Sequence, residues 1–314
     1  MIFEYTLGST LLSAFILAAA LLPFGTAVIA LGSEMAGQME NKLADKLAQQ
    51  ITRLGCIAVA AVALASILLA GLWSFGPERT FRPETVQFLL FRIIPVILLA
   101  TVFFLVYLST WKKLKESKPA HASLGAISAA LMGIFLFLLL ASIMTASPLY
   151  DLRNLPGVRS VVYPLLLQWL FFALTAGGTA SLLFLLIRRN RDDFGRDYYR
   201  YALRACSKWV LISTLFGFVP CAWIGWLLRP NLRVLPLILP GAVSALAALC
   251  LCTFVLVLIR TAQPLRYKGI ILTAQFVLII FFASRILVQL EILNMVPETI
   301  KTITCTGQWS KLLF

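Results

Sequence analysis

Charged side chains are scarce in this chain. They make up 13% of its 314 residues, whereas hydrophobic residues make up 61%. A soluble domain has roughly 25% charged residues, and no water-soluble fold of this length could hide so much apolar surface. The short alternating segments of a transmembrane barrel are also missing. The composition therefore excludes a soluble protein and predicts a helical integral membrane protein.

The residue types that build metal and catalytic sites are scarce too. The chain has a single histidine, His121, and six cysteines, with no Cys-x-x-Cys pair. A haem in a helical bundle usually takes two axial ligands from His and Met, so a buried bis-His haem site is excluded. We find no carboxylate–histidine cluster in the apolar runs, no phosphate-binding glycine loop and no nucleophile with a base. We therefore predict no catalytic residue and no metal ligand, structural cysteines, and a solvated His121 in a Lys-rich loop.

What the chain has is a series of long apolar runs. About 20 helical residues cross a ~30 Å hydrocarbon core, and most of the runs reach that length. They predict an all-α membrane protein with eight transmembrane helices. The spans are expected at about 9–32, 54–76, 86–110, 123–146, 160–187, 209–228, 233–259 and 268–292.

The eight runs divide into two similar sets of four. Gly25-Thr26-Ala27 recurs as Gly178-Thr179-Ala180, Cys56 as Cys206, and Trp73 as Trp226. We predict two repeated four-helix units, at 1–150 and 151–296, followed by an outer C-terminal tail at 297–314.

Basic residues concentrate after the odd-numbered runs. Most of the 27 Lys and Arg residues fall in segments near 42–53, 112–118, 188–208 and 260–268. This positive-inside pattern predicts a multi-pass protein of the bacterial inner membrane with both termini outside the cytoplasm. It argues against nucleic-acid binding and suits anionic lipid headgroups. The segments 34–53 and 188–208 have helical periodicity, which predicts solvated helical connections or a docking surface for a cytoplasmic partner.

Two arginines fall within or beside the outer halves of apolar runs. Arg92 lies near the outer end of the third run, and Arg285 lies in the outer half of the eighth. Such residues either snorkel or pair with a helix carbonyl, or they anchor an acidic ligand. Both are retained as candidate cofactor-binding residues.

Proline and glycine suggest interruptions in three runs. The expected interruptions are at Pro23 and Gly25 in the first run, at 175–179 in the fifth, and at Pro240 and Gly241 in the seventh. Paired interruptions can mark a transported substrate's site, whereas small residues also let helices pack closely. We favour close packing, and a small-solute transporter or channel is the alternative function.

The layout resembles subunit I of the cytochrome bd quinol oxidases over nearly the whole chain. In the first span of that family a histidine lies five residues before a proline. The matching stretch of this chain is 18–23, which keeps the proline. The fifth span has His-Thr-x-x-x-Gly, matched by 174–178, and a basic aromatic helix follows it, matched by 196–208. A Trp-Asp-Arg-Leu motif is matched by 111–114, and a Phe-Arg-Ile-Met motif is similar to 91–94.

The departures from the family fall on its functional positions. Ala18 and Leu174 stand where the resemblance places haem-ligating histidines, and Arg92 stands where it places a carboxylate. The long quinol loop of the family shrinks to residues 228–234. The resemblance therefore implies a haem-free membrane subunit that binds no cofactor alone and scaffolds a multisubunit respiratory complex. The expected partners are other membrane or cytochrome subunits and lipids, with quinone or lipid at subunit interfaces.

Overall fold

The computed structural model describes residues 7–37, 42–75, 89–111, 113–114, 117–145, 162–189, 191–192, 194–228 and 235–295. In these ranges it contains nine α-helices and no strand. They are α1 (Leu7–Gly37), α2 (Lys42–Phe75), α3 (Ile94–Thr110), α4 (Lys118–Thr145), α5 (Val162–Arg188), α6 (Arg196–Phe216), α7 (Val219–Leu228), α8 (Leu235–Arg260) and α9 (Lys268–Met295). A π-helical turn, Leu89–Ile93, leads into α3, and a 3-10 turn, Pro264–Tyr267, leads into α9.

The predicted fold class is confirmed, because the described chain has eight stretches long and apolar enough to span a membrane. Helices α6 and α7 together form one of them. Helices α2, α4 and α6 begin before the predicted spans, since the polar amphipathic segments are continuous with the apolar ones. The predicted tail at 297–314 lies outside the described residues.

The same neighbour relations hold in both sets of four helices. In the first set, α1 and α3 each pack against α2 and α4. In the second set, α5 and α8 each pack against α6 and α9. Helices α1 and α5 also pack against each other, so they form the centre of the bundle.

Two hydrophobic cores fill the bundle. The smaller core lies among α1 to α4 and contains Phe104, Met132 and Phe135. The larger core lies mainly among α1 and α5 to α9 and is rich in aromatic side chains, with Trp169 and Phe281 fully buried. Buried side chains of α1 belong to both cores, so α1 joins the two halves.

The helices predicted to be interrupted are continuous. Pro23 and Pro240 lie inside α1 and α8, and residues 175–179 lie inside α5. A membrane helix tolerates proline because its neighbours help satisfy the freed backbone groups. The paired breaks that would favour a transporter are therefore not present, and the chain instead breaks at residues 217–218, between α6 and α7.

Close packing explains the glycines at the centre. A Cβ atom on Gly25 would lie 1.9 Å from the carbonyl oxygen of Ala173. A Cβ atom on Gly177 would lie 2.6 Å from the carbonyl carbon of Gly25. The backbones of α1 and α5 are therefore in direct contact, as small residues permit in membranes.

We predict that Gly25→Ala destabilises the protein by about 1–3 kcal/mol, because the added methyl group overpacks this contact. The matched control is Gly241→Ala in α8, where a Cβ meets no atom within 4 Å. That control is expected to be neutral or slightly stabilising, since alanine favours helix. Thermal unfolding of the purified protein in detergent measures the difference, and equal midpoints for the two variants would contradict the contact.

Candidate functional site

The starts and ends of eight helices meet at one end of the bundle. Gln50, in α2, donates to Asp192 after α5 at 3.3 Å, and Arg204, in α6, donates to the carbonyl of Thr261 after α8 at 2.7 Å. This end carries the basic segments noted in the sequence. We call it the basic end, and define it by the described residues within 34–53, 107–121, 188–208 and 260–268.

A buried cluster of polar side chains joins three helices at the basic end. Glu34 Oε1, near the end of α1, lies 2.6 Å from Nδ1 of His121, in the first turn of α4. The hydroxyl of Tyr107, near the end of α3, donates to the other carboxylate oxygen of Glu34. All three residues are at most 4% exposed. We call this cluster the Glu34 triad.

The hydrogen bonds restrict where protons can be in the Glu34 triad. His121 Nε2 lies 2.9 Å from the carbonyl oxygen of Tyr107, and a carbonyl only accepts, so Nε2 carries a proton. One further proton is then shared between Nδ1 and Glu34. The pair is either imidazolium with carboxylate or neutral imidazole with carboxylic acid, and it has no net charge in either form.

The Glu34 triad borders a cavity of about 280 Å³. Trp111 packs edge-on against the His121 ring at 4.6 Å and forms part of the cavity wall. The other lining residues are Asp45, Lys46, Gln49, Leu114 and Lys118. The arrangement can therefore hold or pass one proton beside a polar cavity, and it clamps α1, α3 and α4 together.

The predicted solvated loop position of His121 is wrong. The residue lies inside α4 and is 4% exposed, because the helix begins at Lys118, before the apolar run. Glu34 and His121 lie just beyond the predicted spans 9–32 and 123–146, so the sequence analysis of those spans did not include this pair. Pro119 gave a usable signal, since proline is favoured in the first turn of a helix.

The candidate residue Arg285 lies inside the second half. It is 5% exposed, and its guanidinium donates to Gln168 Oε1 at 2.7 Å. The rings of Phe172 and Phe218 lie 5.6 and 5.9 Å from the guanidinium carbon. Its Nε has no hydrogen-bond partner, and no described carboxylate forms an ion pair with it.

Arg285 acts through Gln168 on the break between α6 and α7. The carbonyl of Gly217 receives no helical hydrogen bond, because Pro220 has no N–H group and the Cys221 N–H donates to the carbonyl of Phe218 at 3.0 Å instead. Gln168 Nε2 donates to the freed carbonyl of Gly217 at 3.1 Å, while its Oε1 accepts from Arg285. The sequence suggested that Arg285 pairs with a helix carbonyl, but its described hydrogen bonds go to the side chains of Gln168 and Cys221, and Gln168 makes the bond to the backbone.

The second candidate, Arg92, lies in the π-helical turn before α3, and its side chain is exposed. Its turn packs against α3 and α4, whereas Arg285 packs among α5, α7 and α9. The structure therefore does not bring the two candidate residues together, and they cannot form one site within this chain.

Three or more metal-binding side chains converge nowhere in the described part of the chain. Comparison with models of protein families, with curated proteins and with solved structures finds no match. The site chemistry must therefore be argued from the residues themselves: a proton-sharing triad, and a buried arginine that supports a helix break.

We predict that Glu34→Gln destabilises the protein by about 3–5 kcal/mol, because it leaves the partner of a buried pair uncompensated. His121→Gln is expected to be similarly costly. The double variant should cost less than the sum of the two, since the residues form one interacting unit. Unfolding midpoints in detergent give this double-mutant cycle.

Asp197→Asn is the matched control for Glu34→Gln, because it also removes one carboxylate at the basic end. Asp197 pairs with Arg200 at 3.2 Å, but its side chain is 84% exposed, so removing the charge should change stability by less than about 1 kcal/mol. Additive costs for the two variants of the Glu34 triad would show that Glu34 and His121 do not act as a pair.

Proposed function

We propose that this chain is a haem-free integral membrane subunit that anchors and scaffolds a multisubunit respiratory or electron-transfer complex in the bacterial inner membrane. The observation that carries the proposal is an apolar cleft between the two halves of the bundle. The cleft has a volume of about 510 Å³ and is lined by residues of α1, α4 and α5.

The cleft is shaped for a helix of another subunit. Gly133 of α4 lies beside the ring of Phe24, and its lack of a side chain leaves room in the cleft wall. Ala130 and Ile134 are exposed beside Gly133, and Phe24, Leu166 and Leu170 complete the wall. Among the described residues, no polar side chain lines the cleft, so they offer no side-chain donor to orient a quinone head, whereas an apolar helix or an isoprenoid tail fits the cleft's chemistry.

The positions that resemble haem-ligand sites also support a scaffolding role. Ala18 is 7% exposed within the larger core, and Leu174 packs against that core. Neither side chain has a ligand atom. Because the backbones of α1 and α5 touch at Gly25 and Gly177, these helices have no room between them for a macrocycle at that level. Redox groups of such a complex would then belong to its other subunits.

The orientation proposed for this subunit has the basic end in the cytoplasm and both termini outside. The basic segments at this end supply the positive-inside bias. A basic cytoplasmic end also faces the leaflet richest in anionic lipid.

We predict that Ala130→Phe abolishes partner binding, because the ring fills the cleft. The tagged protein is purified from its native membrane in mild detergent, and co-purifying subunits are identified by mass spectrometry and by cofactor absorbance. The wild type should carry membrane subunits with redox cofactors, and the variant should lose them while keeping its unfolding midpoint.

Ala126→Phe is the matched control. Ala126 is exposed one turn earlier on α4 and is not part of the cleft wall, so this variant should keep its partners. Equal loss of partners in both variants would contradict docking in the cleft. Stoichiometric b- or d-type haem bound by the chain purified alone would overturn the haem-free role itself.

A further inference from the structure

A continuous crevice lined by basic residues runs along α6 at the basic end. It consists of two adjoining cavities, of about 570 and 490 Å³, that share Asp197 and Arg200. We call it the basic crevice. Its basic lining residues are Arg189, Arg196, Arg200, Arg204, Lys208 and Arg266, and among the described residues Asp197 is the only acidic one that lines it.

The positive charge in the basic crevice is not neutralised by the described part of the chain. Asp197 pairs with Arg200 alone, at 3.2 Å. Arg204 donates to the carbonyl of Thr261, but its buried Nε has no hydrogen-bond partner. So many like charges repel one another unless an anion binds among them, and arginine favours phosphate because its planar fork binds two oxygens at once.

The backbone adds to this preference for an anion. The N-terminus of α6 lies within the crevice at Arg196, and no side chain caps it. A helix N-terminus carries partial positive charge and free N–H groups, which suits phosphate oxygens. Side chains and backbone thus select the same ligand chemistry.

The polarity of the basic crevice changes along α6. Arg196, Arg200 and Arg204 lie toward its start, whereas Trp209 and Ile212 form an apolar wall further along, with Leu43 of α2 opposite. From Asp197 to Ile212 the helix rises about 22 Å, so the charged part lies at the helix start and the apolar part lies within the membrane span. A soluble phosphate compound would leave the apolar wall unused, whereas a phospholipid would contact both parts.

We infer that the basic crevice is a binding site for a phosphate-bearing ligand, namely an anionic phospholipid whose headgroup contacts Arg196, Arg200 and Arg266 and whose acyl chain lies against Trp209 and Ile212. The lipid site is inferred from the residues of the basic crevice alone and does not depend on the proposed scaffolding role. Its occupant would fix the depth of α6 in the membrane.

Trp209 provides a local probe of the acyl chain. The full chain is placed in phosphatidylcholine nanodiscs with increasing amounts of phosphatidylglycerol that carries brominated acyl chains, which quench tryptophan. The chain has seven tryptophans, so the signal of Trp209 is obtained by difference from Trp209→Phe. Quenching should saturate at a lower fraction of brominated phosphatidylglycerol than of brominated phosphatidylcholine.

Arg200→Gln should weaken the preference for phosphatidylglycerol about fivefold, the effect of one basic residue near an anionic surface. The Arg200 side chain is 50% exposed, so the fold should tolerate the change. Arg191→Gln is the matched control, because Arg191 is exposed at the same end but does not line the crevice. It should leave the preference unchanged.

Equal quenching by the two lipids, or equal losses in Arg200→Gln and Arg191→Gln, would overturn the inference. Inorganic phosphate and glycerol phosphate, added against chloride at the same ionic strength, distinguish the source of the phosphate. If either displaces the brominated lipid from Trp209 at millimolar concentration, the site belongs to a soluble phosphate compound and not to a phospholipid. None of these results bears on the loss of partners expected for Ala130→Phe, so the lipid site and the scaffolding role are tested separately.

Discussion

Direct contact between the backbones of α1 and α5 sets the arrangement of the whole bundle. In a membrane, apolar side chains gain little by leaving lipid for protein, so helix association depends on close packing and on hydrogen bonds. Gly25 and Gly177 allow this packing at the centre, where a Cβ atom on either residue would clash. The other helices then surround the central pair, and α1 contributes buried side chains to both cores.

The second constraint is that polar groups inside the membrane must find partners within the protein. Two clusters meet it in different ways. In the Glu34 triad, a carboxylate and an imidazole share a proton and form a pair with no net charge. Around Gln168, an amide accepts from Arg285 and donates to Gly217, so the arginine supports the helix break at residues 217–218. The first cluster can exchange a proton beside a cavity, whereas the second cluster stabilises the fold at a helix break.

Hydropathy along the sequence was sufficient to predict the eight spans, because the thickness of the hydrocarbon core fixes their length and polarity. It could not locate helix starts, since hydropathy marks where apolar residues begin and not where helical geometry begins. His121 was misplaced for that reason. Its partner Glu34 is 87 residues away in the sequence, and the pairing depends on α1 and α4 being neighbours, which periodicity does not reveal. The position of Arg285 inside an apolar helix was predicted, but its partner Gln168 was not.

The cleft and the Glu34 triad are connected through α4. His121 and Ala129 are eight residues apart on this helix, a rise of about 12 Å. The contact of His121 with Glu34 fixes the start of α4 on α1, and Met132 and Phe135 hold the next turns in the smaller core. Closing the cleft would require α4 to move toward α5 and would stretch a buried pair that is costly to separate. For the docking proposed above, the Glu34 triad therefore holds the start of α4 on α1, and a groove that is already formed lowers the free-energy cost of docking because it does not have to be reorganised first.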